Sequence, residues 1–136
     1  MENLTFEDYQ ERAMTTCMPS SENFSYMFLN LVGEVGEFAS KVGKAIRKGD
    51  VSIGWNEEDQ EADQNNLFPS CSYFEWKEME KELMKEAGDI LWQLSGVCSI
   101  FGWPLEQVAR MNLEKLAARK AVGTIDGNGD GIIRGK

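Results

Sequence analysis

The chain has 136 residues, 42% of them hydrophobic, with 23 acidic against 14 basic side chains and a formal net charge of −9. That size suits one domain around a single core, and the acidic balance argues against a sequence-independent grip on DNA or RNA, which is built on Lys and Arg clusters. The chain has no His, which removes Ser-His-Asp and Cys-His catalysis, HExxH zinc sites and the Glu-x-x-His of di-iron bundles.

No stretch approaches the roughly 18 consecutive apolar residues of a membrane span. The opening Met-Glu-Asn-Leu-Thr-Phe-Glu-Asp lacks the basic and apolar regions of a signal peptide. Cys17, Cys71 and Cys98 are odd in number and widely spaced, unlike a disulfide framework or a thiolate metal site, so a reducing cytoplasm is expected.

In chain order, Thr5-Phe-Glu-Asp8 resembles a capping box and opens a short helix through Phe6, Tyr9 and Ala13 to about Thr16. Met18-Pro-Ser-Ser21 breaks it, and a long helix is expected from about Asn23 to Lys48, closed by Gly49 as C′ residue. Phe28, Leu31, Val35, Phe38, Val42 and Ala45 form its core-facing stripe at steps of three and four. Glu34, Glu37, Lys41 and Lys44 keep the same rhythm one position behind, about 100° round the helix.

From Asp50 to Cys71 the periodicity disappears. The run Glu57–Asn66 has too little apolar surface to offset the entropy of ordering it. A mobile acidic insertion over 50–71 is expected, with Trp55, Leu67 and Phe68 pinning its ends; a lid or a partner-contact segment are its alternative uses. Ser72-Tyr-Phe-Glu75 restarts a helix with a second capping box. Leu83, Ala87, Ile90, Leu94, Val97 and Phe101 form its apolar side, again with Glu82, Glu86, Asp89 and Gln93 one position behind. Gly102 ends it. Trp103-Pro104 opens a last helix, with Pro at the first helical position and Leu105, Val108, Leu113 and Leu116 on its apolar side.

On another face of that helix Asn112, Lys115 and Arg119 recur at steps of three and four. Cations there suit the helix dipole; alternatively the three are donors directed at phosphate. Beyond residue 120 comes a Gly-rich tail. Asp126, Asn128, Asp130, Gly131 and Ile133 match the first eight positions of an EF-hand loop, but position twelve, the bidentate Glu, would fall beyond Lys136. A flexible tail is the preferred reading, and a loop closing on phosphates through Arg134 is an alternative.

Chemistry enters with the two acidic pairs. Glu34-x-x-Glu37 and Glu86-x-x-Asp89 each put two carboxylates on one side of a helix, one turn apart. On one helix alone this is usually a solvated flank. Two matching rows beside apolar stripes are different, because packing those stripes together converges four carboxylates, at a cost unless a cation sits between them. A divalent metal is the obvious cation, and Mg²⁺ can bridge such carboxylates to the phosphates of a nucleotide. Gly36 and Gly88, each just before the second acid of its pair, leave room for ions and phosphates. With no His, one of the four carboxylates accepts the proton or orients the water, with Glu37 preferred.

Together these residues resemble the MazG-like, all-α nucleoside triphosphate pyrophosphohydrolases. The similarity runs from about Asn23 to Arg119 without the acidic insertion, and the tail looks like that of phage-encoded members. The resemblance implies a bundle of about four helices over residues 1–120, usually a homodimer or dimer of dimers. It implies hydrolysis of a (deoxy)nucleoside triphosphate to the monophosphate and pyrophosphate, in the host cytoplasm if the chain is phage-encoded. It makes Glu34, Glu37, Glu86 and Asp89 the ligands of Mg²⁺, with Mn²⁺ as an alternative. It also places Lys115 and Arg119, with Asn112 and Lys41, near the phosphates. Two departures stand out: Gly33 replaces a Glu that often precedes the first ligand, and the pairs are further apart than usual. The competing class is a non-catalytic acidic helical interaction module using 50–71 to bind a partner; Ca²⁺ sensing through the tail is a third.

Overall fold

The computed structural model describes residues 2–53 and 67–123. Helix α1 (Phe6–Met14) starts where expected, because Thr5 caps it. The Asp8 amide donates to Thr5 Oγ1 (3.1 Å), and the Asp8 carboxylate accepts from the Thr5 hydroxyl (2.7 Å) and amide (3.3 Å). A 3₁₀ turn at Pro19–Ser21 leads into α2 (Phe24–Lys48). Gly49 takes φ +78°, with its amide bonded to the Ile46 carbonyl and that of Asp50 to the Ala45 carbonyl. That pair of bonds is a Schellman ending, which only a residue tolerant of positive φ closes without strain.

Two short strands flank the insertion. β1 (Val51–Ile53) and β2 (Leu67–Pro69) pair antiparallel, with Val51 opposite Pro69 and Ile53 opposite Leu67. The Ser70 amide donates to the Asp50 carbonyl (2.9 Å) and its hydroxyl to that of Gly49 (2.5 Å). This ribbon was not expected; three residues per strand are too few to show a period of two. Residues 54–66, with Trp55 and the acidic run, lie outside the described residues, as do 124–136 and the EF-hand-like stretch.

Ser72 and Glu75 form the second capping box, with the Glu75 amide on Ser72 Oγ at 3.2 Å, and open α3 (Tyr73–Ile100). Gly102 (φ +68°) ends it in another Schellman pair, Gly102 to Ser99 and Trp103 to Cys98. Helix α4 (Leu105–Ala121) follows. The fold class is all-α, as expected, with the β1–β2 ribbon as an addition. No helix among the described residues is long and apolar enough to cross a membrane.

The chain divides into two compact units, Phe24–Leu94, and Met1–Asn23 with Ser95–Lys136, the boundary falling inside α3. In the second unit α1 meets α4, and the amide of Gln10 joins them. Its Nε2 donates to Ser99 Oγ (3.0 Å) and the Trp103 carbonyl (3.0 Å), while its Oε1 accepts from the Leu105 amide at 2.7 Å. This corrects one expectation: Pro104 is the N-cap of α4, not its first helical residue. Proline has no side-chain acceptor to offer there, and Gln10 of α1 supplies one instead.

In the first unit α2 packs against β1, and Ala45 and Val51 are buried. The α2 stripe is covered only in part. Leu31, Phe38 and Val42 are half-buried, whereas Phe28 is 47% and Val35 50% exposed. On α4, Leu105 is buried but Leu113 and Leu116 are not. Described as a single chain, the helices therefore present more apolar stripe than their own packing covers.

Candidate metal centre

Helices α2 and α3 each bring acidic side chains to the unit Phe24–Leu94, and three of them converge. One carboxylate oxygen each from Glu34, Glu86 and Asp89 lie within 4.8 Å of one another. Glu86 and Asp89 come from one turn of α3; Glu34 comes from the flank of α2. Their burial is graded, with Glu86 buried at 8% exposure, Glu34 half-buried and Asp89 exposed. Glu37, the fourth expected ligand, is exposed and lies outside this group.

The electrostatics are those of crowded like charges. Burial pushes the Glu34 carboxyl above its usual range, and the neighbouring charges of Glu37, Asp89 and Glu86 push it further. One cation lies alongside: Lys41 Nζ is ion-paired with Glu86 Oε1 and lies 3.8 Å from Glu82 Oε2. Those carboxylates, Glu86 first, hold the Lys41 ammonium above its ordinary pKa. Glu82 is itself bridged by Lys85 at 2.7 Å, which holds its carboxyl below the usual value.

The second oxygen of Glu86 decides whether a metal fits. Oε2 is buried and has no hydrogen-bond partner among the described residues. A buried carboxylate oxygen without a partner is costly, and a cation held by the three carboxylates would offset that cost. The donors are all hard oxygens, which suit Mg²⁺ or Mn²⁺ rather than a thiolate- or imidazole-loving ion. The residues therefore fit a divalent ion, with Glu34, Glu86 and Asp89 as the set that would hold it.

Of the other expected site residues, Asn112, Lys115 and Arg119 lie on α4, the first two exposed and Arg119 half-buried. A Cβ placed on Gly36 or Gly88 would meet, among the described residues, no atom within 4 Å apart from its chain neighbours and its own helix backbone. Two neighbours had not been singled out. Glu82 is the second partner of Lys41. Gln93, one turn beyond Asp89, is 6% exposed with its Oε1 unpartnered. Both occupy the acidic row of α3, so their position was legible; their partners, or lack of them, depend on how the helices meet.

A family model for the MazG nucleotide pyrophosphohydrolase domain matches residues 22–123. The Gene 37 protein of Mycobacterium phage L5 is 32% identical over 111 residues, covering 82% of this chain and 78% of that protein. No solved structure matches.

Proposed function

The chain belongs to the MazG nucleotide pyrophosphohydrolase family, and on that footing we propose that it hydrolyses (deoxy)nucleoside triphosphates to the monophosphate and pyrophosphate with Mg²⁺ or Mn²⁺ bound. The observation that carries this reading is the convergence of one carboxylate oxygen each from Glu34, Glu86 and Asp89 within 4.8 Å, together with a buried Glu86 oxygen that has no partner among the described residues. When bound, the ion supplies positive charge against the triphosphate and the departing pyrophosphate.

The chain's own residues divide the remaining work. Glu34, Glu86 and Asp89 fix the ion, with Glu37 as a fourth ligand or as the base. Glu37 lies one turn along α2 from Glu34 and outside the group of three, a position suited to orienting the attacking water and accepting its proton. The water oxygen bonds to the α-phosphorus as the bond from that phosphorus to the bridging oxygen breaks, and the electron pair leaves with pyrophosphate. Lys41 provides an ammonium for a phosphate oxygen. Asn112, Lys115 and Arg119 are assigned phosphate contacts on their chemistry alone: a neutral donor and two cations.

A homodimer or dimer of dimers belongs to the same proposal, supported by the exposed Phe28, Val32 and Val35 on one helix. Three unpaired thiols support a reducing, cytoplasmic setting. The test is a panel of NTPs and dNTPs with Mg²⁺, with products separated by chromatography. Equal amounts of monophosphate and pyrophosphate are expected from at least one nucleotide. Orthophosphate with a diphosphate, or no product from any, would overturn the proposal, and the latter would leave the acidic interaction module.

A further inference from the structure

Among the described residues, one cation beside the three carboxylates is part of the chain itself. Lys41 reaches from α2 to α3 and is ion-paired with Glu86 Oε1, an oxygen of the same carboxylate whose other oxygen is buried without a partner. We propose that Lys41 is a built-in stand-in for the divalent ion, neutralising Glu86 while the site holds no metal and moving to Glu82 when it does. This rests on the metal-site reading above and gives Lys41 a second task, as a positioning residue that sets how tightly the ion is held.

Three observations support it. Glu86 is almost wholly buried, and a lone carboxylate so placed is costly, so a counter-charge is needed even without metal. Lys41 meets that need from the solvent side: its side chain is 41% exposed against 11% for that of Glu86, so the ammonium can leave without unpacking the helices. It also has somewhere to go. Glu82 Oε2 lies 3.8 Å from Nζ, one turn back along α3, while Glu82 Oε1 is engaged by Lys85 at 2.7 Å. A long, flexible stem ending in a compact charge suits such a move better than a planar guanidinium would. An ammonium against Glu86 repels a divalent ion seated on the same carboxylate, so the two compete.

If Lys41 were only a structural pin between α2 and α3, its loss would weaken the fold and leave metal affinity unchanged or lower. Competition demands the opposite sign. The experiment is a calorimetric titration of the full chain with Mn²⁺ alone, on wild type, Lys41→Met and Lys41→Arg, with melting followed by circular dichroism with and without the ion. Lys41→Met is expected to bind Mn²⁺ about tenfold tighter than wild type, within the usual range for coupled sites. It should also melt lower without the ion and gain more from it, while Lys41→Arg, which keeps the charge on a head group less suited to moving away, binds Mn²⁺ no tighter than wild type. Unchanged or weaker binding by Lys41→Met overturns the inference while leaving the metal site standing. A wild type that binds no Mn²⁺ overturns both. Should Lys41→Met fold only when Mn²⁺ is present, the stand-in role is supported; if it stays unfolded in saturating Mn²⁺, the role is overturned.

Discussion

Gln10 in α1 and Glu86 in α3 are both polar side chains turned toward another helix, each within its own unit, and they differ in completeness. The Gln10 amide uses both its oxygen and its nitrogen, on the Leu105 amide, Ser99 Oγ and the Trp103 carbonyl. Glu86 has one oxygen tied to Lys41 and one buried with no partner among the described residues. A fully bonded polar group joins elements and needs nothing more; a buried one left incomplete calls for a reason. Gln10 is thus a structural clasp, and Glu86 is the incomplete group on which the proposed metal site rests.

The comparison breaks most sharply at the acidic residues. Glu34→Gln and Asp89→Asn are expected to lower pyrophosphate release about a hundredfold or more while the circular dichroism spectrum is kept, since each removes a carboxylate charge proposed to hold the ion against the reacting phosphates. Glu37→Gln should lose comparable activity and yet keep Mn²⁺ affinity within a few-fold, if its task is the water. Equal losses of affinity in all three would make Glu37 a ligand instead.

Gln10→Ala tests the other side. It leaves the part-buried Leu105 amide without its acceptor and should destabilise the protein by about 1–3 kcal/mol, read as a lower urea midpoint at unchanged slope. A midpoint unmoved by this change would mean that water replaces the clasp.

The smallest expected effect lies at the exposed cap of α1. Thr5→Ala should cost about 1 kcal/mol and should also alter the acid side of the stability profile. The bonds from the Thr5 side chain and amide hold the Asp8 carboxyl below the usual carboxylate value. A lowered folded pKa contributes stability that is fully present above the unfolded value and is lost as pH falls through the folded one. Without the Thr5 hydroxyl, that acid-side loss should shrink, measured as melting temperature between pH 6 and pH 2.

Much of this was legible in the residues because helix ends are written locally. Thr5 with Asp8, Ser72 with Glu75, Gly49 and Gly102 mark boundaries through bonds spanning a few positions. The start of α4 was misjudged by one position because its cap comes from Gln10, 95 residues earlier. The β1–β2 ribbon was missed because Val-Ser-Ile and Leu-Phe-Pro are too short to carry a pattern. In the acidic group, the three-residue step put Glu86 and Asp89 on one side of α3, where one oxygen of each lies within 4.8 Å of the other. It could not say that only Glu34 of the α2 pair would join them. Three residues turn a helix through 300°, leaving the second carboxylate about 60° off the first, and which of the two faces α3 depends on the roll of α2 about its axis. The Lys41–Glu86 pairing depends on the same roll and on the register of the two helices.

The most direct measurement compares wild type with Glu86→Gln, both shown to be folded, in Mg²⁺ and the best substrate of the nucleotide panel. Wild type should release pyrophosphate at least a hundredfold faster, and saturating Mg²⁺ should raise its melting temperature but not that of Glu86→Gln. Equal pyrophosphate release by the two proteins would contradict the assignment of the Glu34–Glu86–Asp89 group as the reaction centre.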